Sequence, residues 1–384
     1  MGSEEKQYRV LHIFSAFGGG ISSLIVNLLE NKAQNFSFDI LAFSYDKGEQ
    51  FLDRVEKTGT QSFLMPRIRE GGYKHFKKFL KDFFEQHSYD AVHCHIDGWR
   101  ARPFYVAAKK AGIKTFVIHA HKTKYESGLD RTFFMRKVNK KCNFKFATDY
   151  MICSDLAGEY VFGAKYMQRK NTVMIPNGMN EEIFQSRLSI EQKQAYAKEF
   201  QIPENAFIIA HVGRFNYQKN HVFLLEIIKE LTKKNGNIIT LMIGTGELFD
   251  EIKERSQKMQ IQDNVRFLGR RNDVNLLMQY ADLVVLPSLC EGLPTVAVEC
   301  QATGTQMLLS DSITKQCDMG LDLLEFLPNQ EAKVWCEQIC ETIKKLPQKL
   351  PLEECLETIK NKGFTAKTAG EVYCSALEKM INKR

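Results

Sequence analysis

Nowhere in the 384 residues does an apolar run approach the roughly 18 needed to cross a bilayer as a helix, which argues against an integral helical membrane protein. None of the ten cysteines form a Cys-x-x-Cys pair. Met1–Arg9 is polar and charged, without the apolar stretch of a secretory leader, so the expectation is a cytoplasmic chain with reduced core thiols. No tandem repeat of 20–50 residues is present, only a coarse duplication of plan between the halves. Gly-x-Gly-x-x-Gly and Walker loops are missing, and so is any Asp-x-Asp, the usual anchor of a catalytic divalent ion in metal-dependent sugar transfer.

What is present is a soluble composition, 44% hydrophobic and 26% charged, long enough for two domains. The net charge of +7 divides unevenly: residues 1–180 carry +10 and residues 181–384 carry −3. Much of the excess lies between Pro66 and Lys145. Such a field suits an anionic partner, a phosphorylated substrate or an anionic membrane surface. Nucleic acid is not expected, because no finger, ribonucleoprotein or basic-zipper pattern accompanies the charge.

Short β-rich runs alternate with helical periodicity through both halves. Tyr8–Phe14, Phe38–Ser44, Tyr89–His95, Thr115–His119 and Asp149–Ser154 read as strands of the first half. Phe207–Gly213, Ile239–Gly244, Asn264–Gly269, Asp282–Pro287 and Gln306–Ser310 read as strands of the second. Runs apolar on both faces, separated by helices, predict an α/β chain with two parallel sheets. The turn cluster Ile175-Pro176-Asn177-Gly178 opens a junction at about 178–205, and Thr365–Lys383 reads as a final helix.

Four constellations carry chemistry. Glu291-Gly292-Leu293-Pro294-Thr295-Val296-Ala297-Val298-Glu299 follows a buried strand directly. Gly292 permits a tight turn and Pro294 fits a first helical position, so amides from Leu293 to Val296 are expected to face outward as an anion site. Glu299, further along that helix, is placed to accept from a ribose diol, and Glu291 lies in the preceding loop. Gly213–Asn220 ends another strand and supplies two cations, Arg214 and Lys219, suited to a diphosphate. The triplet Gly18–Gly20 resembles a phosphate-cradling loop. The pairs His93-Cys94-His95 and His119-Ala120-His121 close two predicted strands, with strand-end, reacting-centre and metal readings all open, Asp97 being a further ligand in the last.

Together these residues resemble family-4 glycosyltransferases of the GT-B architecture, whose Glu-x7-Glu element corresponds to Glu291–Glu299. Val265–Gly269, Asp273-Val274, Ala281-Asp282, Leu286-Pro287-Ser288, Gly244–Glu247 and Ile175–Gly178 extend the match over nearly the whole chain. Gly213-Arg214-Phe215, Gln218–His221 and Ser310–Thr314 narrow it to EpsF-like enzymes of bacterial exopolysaccharide and capsule assembly. The resemblance implies two Rossmann-like domains facing a cleft. Residues 1–178 would bind a lipid-linked or saccharide acceptor and residues 179–364 a nucleotide-sugar, commonly a UDP-sugar. The helix 365–384 would return to the first domain. It also implies retaining transfer without a metal or other cofactor. Arg214 and Lys219 then match the diphosphate pair, Glu299 the ribose ligand, Glu291 a residue near the sugar, and Gly19 the loop near the donor phosphate. Leu293, Pro294 and Thr295 match the helix terminus at the donor, and His119 or His121 the histidine near the sugar. Ala302-Thr303-Gly304-Thr305-Gln306, Cys290 and the Gly-Gly-Gly-Ile-Ser loop depart from the pattern and bear on which sugar is used. Two rivals remain: a non-catalytic carbohydrate-binding subunit of the same fold, and a metal-dependent hydrolase built on the His-x-His pairs. The basic, aromatic stretches Tyr73–His87 and Arg131–Lys145 read either as helices that cover the sheet, the commoner use of such a stripe, or as amphipathic faces for reversible contact with anionic lipid, and with the charge of the first half they predict such contact through that half.

Overall fold

The computed structural model describes residues 6–17, 20–45, 49–123, 132–167, 172–345 and 348–384. It divides into two units, Met1–Gly178 with Gly363–Arg384, and Met179–Lys362.

The first unit is built on β1 (Tyr8–Ala16), β2 (Phe36–Ser44), β3 (Gln61–Leu64), β4 (Ala91–Cys94), β5 (Thr115–Ala120), β6 (Asp149–Ile152) and β7 (Thr172–Met174). The strands lie in the order β3-β2-β1-β4-β5-β6-β7, every pair parallel. Val10, Leu11, Ile13 and Phe14 of β1 are all buried, as expected of a central strand covered on both faces. Strand order reverses at β1 and β4, the position where open sheets of this kind bind ligands beyond their carboxyl ends. The final helix, Ala366–Asn382, packs on the first, Gly20–Glu30. Gly370 allows the approach, since a Cβ there would lie 2.4 Å from the Asn31 carbonyl oxygen. Tyr373 on that helix is fully buried in the core of this unit.

The helix Ile68–Gln86 is longer than the apolar stripe Tyr73–His87 suggests and is interrupted at Gly72, with φ 75°. It turns Phe76, Leu80, Phe83 and Phe84 into the core, so most of its stripe covers the sheet and only Tyr73 is exposed. The second basic helix, Phe133–Phe146, behaves differently. Phe133 and Phe134 are 66% and 72% exposed, close in sequence to Arg136 and Lys137. Arg131 lies outside the described residues.

The second unit contains β8 (Phe207–Val212), β9 (Ile238–Ile243), β10 (Val265–Gly269), β11 (Leu283–Leu286), β12 (Met307–Ser310) and β13 (Leu324–Leu327). Their order is β10-β9-β8-β11-β12-β13, again parallel, with the reversal at β8 and β11. Gly244, directly after β9, has φ 138°, and a Cβ there would sit 2.0 Å from the Gly213 oxygen. The loops after β8 and β9 approach each other at a distance that only glycine allows.

Candidate active site

In the second unit, the loops after β8, β9 and β11 gather the predicted residues at one sheet edge. Asn216 accepts a hydrogen bond from the Lys219 amide and so caps the short turn Tyr217–Lys219. The turn aims the Lys219 side chain past Gly213 toward Glu291, where Nζ donates to Oε1 at 2.8 Å. Gln218, whose part the sequence left unread, donates to the other Glu291 oxygen at 2.9 Å and to the Cys290 carbonyl at 2.7 Å. The Leu289 amide returns a bond to the Gln218 carbonyl at 2.8 Å. The two loops are therefore laced together, and Glu291, 7% exposed, is held by a cation and an amide.

Arg214 lies at the exposed edge and pairs with Glu247 at 2.9 Å. Both predicted diphosphate cations thus hold a carboxylate partner here. Glu299 is the contrast. It is half-buried and makes no hydrogen bond or ion pair among the described residues. Burial raises its carboxyl to about 7, with the nearby Lys219 charge acting in the opposite direction.

The helix that follows begins at Thr295, and Pro294, with ψ 108°, is its N-cap instead of its first helical residue. Proline lacks a side-chain acceptor, so the cap leaves the first turn open. The Thr295 and Val296 amides have no acceptor among the described residues, and Ala297 is the first to bond back, to the Pro294 carbonyl. Leu293 is buried and engaged, so the open donors are fewer than the sequence implied.

In the first unit the two His-x-His pairs do meet, and a fifth imidazole joins them. His12 on β1 stands opposite His93 on β4 in the strand register. Nδ1 of His12 lies 3.1 Å from Nε2 of His95, whose Nδ1 lies 2.8 Å from Nε2 of His121. Nε2 of His93 lies 3.1 Å from Nδ1 of His119. The Tyr373 hydroxyl joins the two groups, 2.6 Å from Nδ1 of His93 and 3.1 Å from Nε2 of His12. Burial lowers every one of the five imidazoles, His12 and His121 to about 3, and raises the Tyr373 phenol, so all six groups are neutral at pH 7.

His119 is 1% exposed; its Nδ1 meets His93, and the Ile152 backbone carbonyl lies within reach of the ring. His121, just past β5, is half-buried and is the more accessible of the pair. Three-imidazole groups capable of holding a metal are formed by His12, His93 and His95 and by His95, His119 and His121. Asp97 belongs to neither; its carboxylate binds Lys122 at 2.8 Å. Gly19 lies outside the described residues. His12 was legible only as a polar residue inside an apolar strand, and Tyr373 had no sequence signal linking it to histidines some 250 residues away or more.

Residues 192–320 match the model described as glycosyl transferases group 1. Over 340 residues the chain is 32% identical to a protein of Bacillus subtilis (strain 168) named as the glycosyltransferase EpsF, covering 87% of both. It is 28% identical over 249 residues to the UDP-Gal:alpha-D-GlcNAc-diphosphoundecaprenol alpha-1,3-galactosyltransferase of Escherichia coli, 62% of each chain. Among solved structures, Anabaena Alr3699/HepE in complex with UDP superposes with a TM-score of 0.77 at 15% identity, over 97% of this chain and 100% of that one. Two Rossmann-like domains of this kind make the GT-B architecture. The chain belongs to the group 1 glycosyltransferases and, within them, to the EpsF-like members.

Proposed function

We propose that the protein moves a sugar from a UDP-sugar to a lipid-linked or saccharide acceptor in exopolysaccharide or capsule assembly, with retention at the anomeric carbon and without a metal ion. The observation that carries the reading is the cluster at β8 and β11: Lys219 bound to Glu291 and near enough to Glu299 to act on its carboxyl, with the Thr295 and Val296 amides open among the described residues. Lys219, Arg214 and the two amides supply positive charge for a leaving diphosphate, the task a divalent ion would otherwise perform. Glu299, without a hydrogen-bond or ion-pair partner among the described residues, is placed to accept from ribose hydroxyls. Glu291 is positioned by Lys219 and Gln218 to meet hydroxyls of the sugar, and the resemblance gives His119 or His121 the part of the family histidine. No side chain is given the part of nucleophile. The leaving phosphate takes the acceptor proton on the face it departs from.

The Escherichia coli relative, whose name specifies a UDP-sugar and a diphosphoundecaprenol acceptor, supports this donor and acceptor class. Peripheral membrane contact is supported by exposed aromatics among cations: Trp99 beside Arg100, and Phe133 and Phe134 near Arg136 and Lys137. A groove of about 520 Å³ between the helices Ile68–Gln86 and Arg102–Lys110 adds Lys77, Lys81, Arg102 and Lys110 around an apolar floor. No helix among the described residues is long and apolar enough to cross a membrane.

The test is a panel of nucleotide-sugars offered with a polyprenyl-diphosphate saccharide acceptor, with products read by mass spectrometry and anomeric configuration by NMR. Transfer from a UDP-sugar with retention is expected. Inversion, or transfer only from another nucleotide, would overturn the reading.

A further inference from the structure

The crossovers from β3 to β4 and from β4 to β5 advance in the same direction across the first sheet. Right-handed connection therefore puts the helices Ile68–Gln86 and Arg102–Lys110 side by side on one face, running parallel. Their facing positions differ in size. The first helix presents Tyr73, Leu80 and Phe84; the second presents Pro103, Val106 and Ala107, which are too small to fill the space between neighbouring helices. The result is the groove of about 520 Å³, a volume in the range of small-ligand sites. Its floor is buried and apolar at Leu80 and Phe84, and its wall at Val106 is apolar and exposed. Charge surrounds that floor. Lys77, Lys78, Lys81, Arg102 and Lys110 stand against one carboxylate among the described lining residues, Glu85. Glu85 pairs with Lys81 at 3.5 Å, and both side chains are largely exposed, so the pair has little weight. The Lys77 ammonium lies 5.8 Å from the centre of the Tyr73 ring. Long basic side chains beside an apolar trough lay their methylene stems against it and carry their charges to its lip. An apolar floor with a cationic lip is complementary to an amphiphile with an apolar chain and an anionic head. A partner helix, about 10–12 Å across, is too broad to enter a groove of this volume.

We propose that this groove is a binding site for a single anionic phospholipid, with one acyl chain along Leu80, Phe84, Val106 and Ala107 and the phosphate on the lip cations. Such a site differs from adsorption through Phe133 and Phe134: it saturates at one molecule per chain and needs no bilayer. Its use by the enzyme rests on the membrane contact proposed above; occupancy of the groove does not. The spread of charge favours a membrane phospholipid over a lipid-linked acceptor. Arg102 and Lys110 stand about 12 Å apart along their helix, so the cations follow the whole trough. An acceptor diphosphate would instead gather them at the carboxyl edge of the sheet, beyond which ligands of open sheets bind.

The experiment is calorimetric titration of the full chain with hexyl, octyl and decyl phosphate, each kept below its micelle concentration. One molecule per chain is expected, with Kd tightening about fourfold for each added methylene that enters the groove. Lys77→Gln with Arg102→Gln should weaken decyl phosphate about 25-fold, from two cations worth about fivefold each. Ala107→Trp, which fills the groove from the second helix, should abolish the dependence on chain length. Both variants leave Arg214 and Lys219 untouched, so phosphate bound at the donor loops would not respond to them. Should Ala107→Trp not fold, Val106→Asp places a carboxylate on the exposed wall and gives the same test. Binding that ignores chain length would reduce the lip to an anion patch. Several molecules per chain, or full affinity in the groove variants, would place the amphiphile elsewhere. Tighter binding of geranyl phosphate than of decyl phosphate would assign the groove to a polyprenyl chain. Each of these results overturns the proposal. Vesicle sedimentation separates it from the membrane reading: decyl phosphate bound one-to-one without vesicle binding removes the membrane contact and leaves the site, and vesicle binding without decyl phosphate bound removes the site alone.

Discussion

Glu299→Gln should make the protein more stable and a poorer enzyme, and the gain should depend on pH. In the fold, burial holds this carboxyl at about 7 against an ordinary 4.5. Well below pH 4.5 the group is neutral in both folded and unfolded chains and contributes nothing. As pH rises the unfolded chain releases its proton first, so the folded state binds more protons and stability falls through the window from 4.5 to about 7. Above that window the cost is constant, at most about 3 kcal/mol from 1.36 kcal/mol per unit. Gln removes the ionisation and keeps the shape. The stability difference between variant and parent should therefore grow by about 2 kcal/mol from pH 5 to pH 8, or about 5 °C in melting temperature for a unit of this size. Melting followed by calorimetry at both pH values checks it. Donor titration on the same samples should show weaker UDP binding in the variant and loss of an affinity increase that the parent shows as pH rises through about 7. A variant no more stable at pH 8 than at pH 5 would refute the argument, because the cost of burying the charge would then be absent.

Lys219→Ala combined with Arg214→Ala should reduce kcat/KM by at least 100-fold, from two charge-assisted contacts of about 1.5–3 kcal/mol each, in a protein that still folds but melts lower because Glu291 loses its cation; near-normal kinetics would remove the diphosphate assignment. Transfer should persist in excess EDTA, and a complete loss restored by Mn²⁺ or Mg²⁺ would show that the cations at β8 do not replace a metal ion. Sedimentation with vesicles should rise with anionic lipid and fall with salt, and Phe133→Ser with Phe134→Ser should weaken it; binding indifferent to both variables would favour a soluble acceptor. Gly244→Ala should destabilise the second unit by several kcal/mol, since its Cβ would overlap the Gly213 oxygen and the backbone cannot yield without moving the loop that carries Arg214; a melting temperature equal to the parent's would show that the loop is soft.

The sheets were legible because buried parallel strands need long Val, Ile and Leu runs, and those runs ended at glycine, histidine or proline where the chain leaves the sheet. The strand order was not, because period and composition say nothing about which strands pair. The element Glu291–Glu299 and the cations of Gly213–Asn220 were legible for a local reason: turn residues and charges stand next to one another in the chain. Contacts made across the sheet were less accessible. Gln218 earns its place only through Glu291, 73 positions away, and Tyr373 only through His93, 280 positions away. The Tyr73–His87 stripe left both readings open because an amphipathic helix faces lipid or core with the same spacing; four of its aromatic or leucine side chains face the core.

The donor site proposed above is already neutralised in part, and this shapes what binding there must do. Lys219 holds Glu291 and Arg214 holds Glu247, so a diphosphate gains these cations only in exchange for a carboxylate. At Arg214 the exchange costs little, because an exposed pair contributes about 0–1 kcal/mol. At Lys219 the side chains are only 15% and 9% exposed, and a carboxylate left there without its cation is costly. Glu291 keeps Gln218 as a donor, and a sugar hydroxyl can take the position Lys219 leaves. UDP alone offers the diphosphate but no hydroxyl for Glu291; a UDP-sugar offers both. Affinity for the intact donor should therefore exceed that for UDP, with the difference concentrated at Glu291. Isothermal titration of UDP and UDP-sugar against the parent and Glu291→Gln separates the terms. The variant should lose the preference for the sugar while retaining UDP, whose binding no longer displaces a charged partner. An equal loss for both ligands would mean that Glu291 serves the loop and not the sugar.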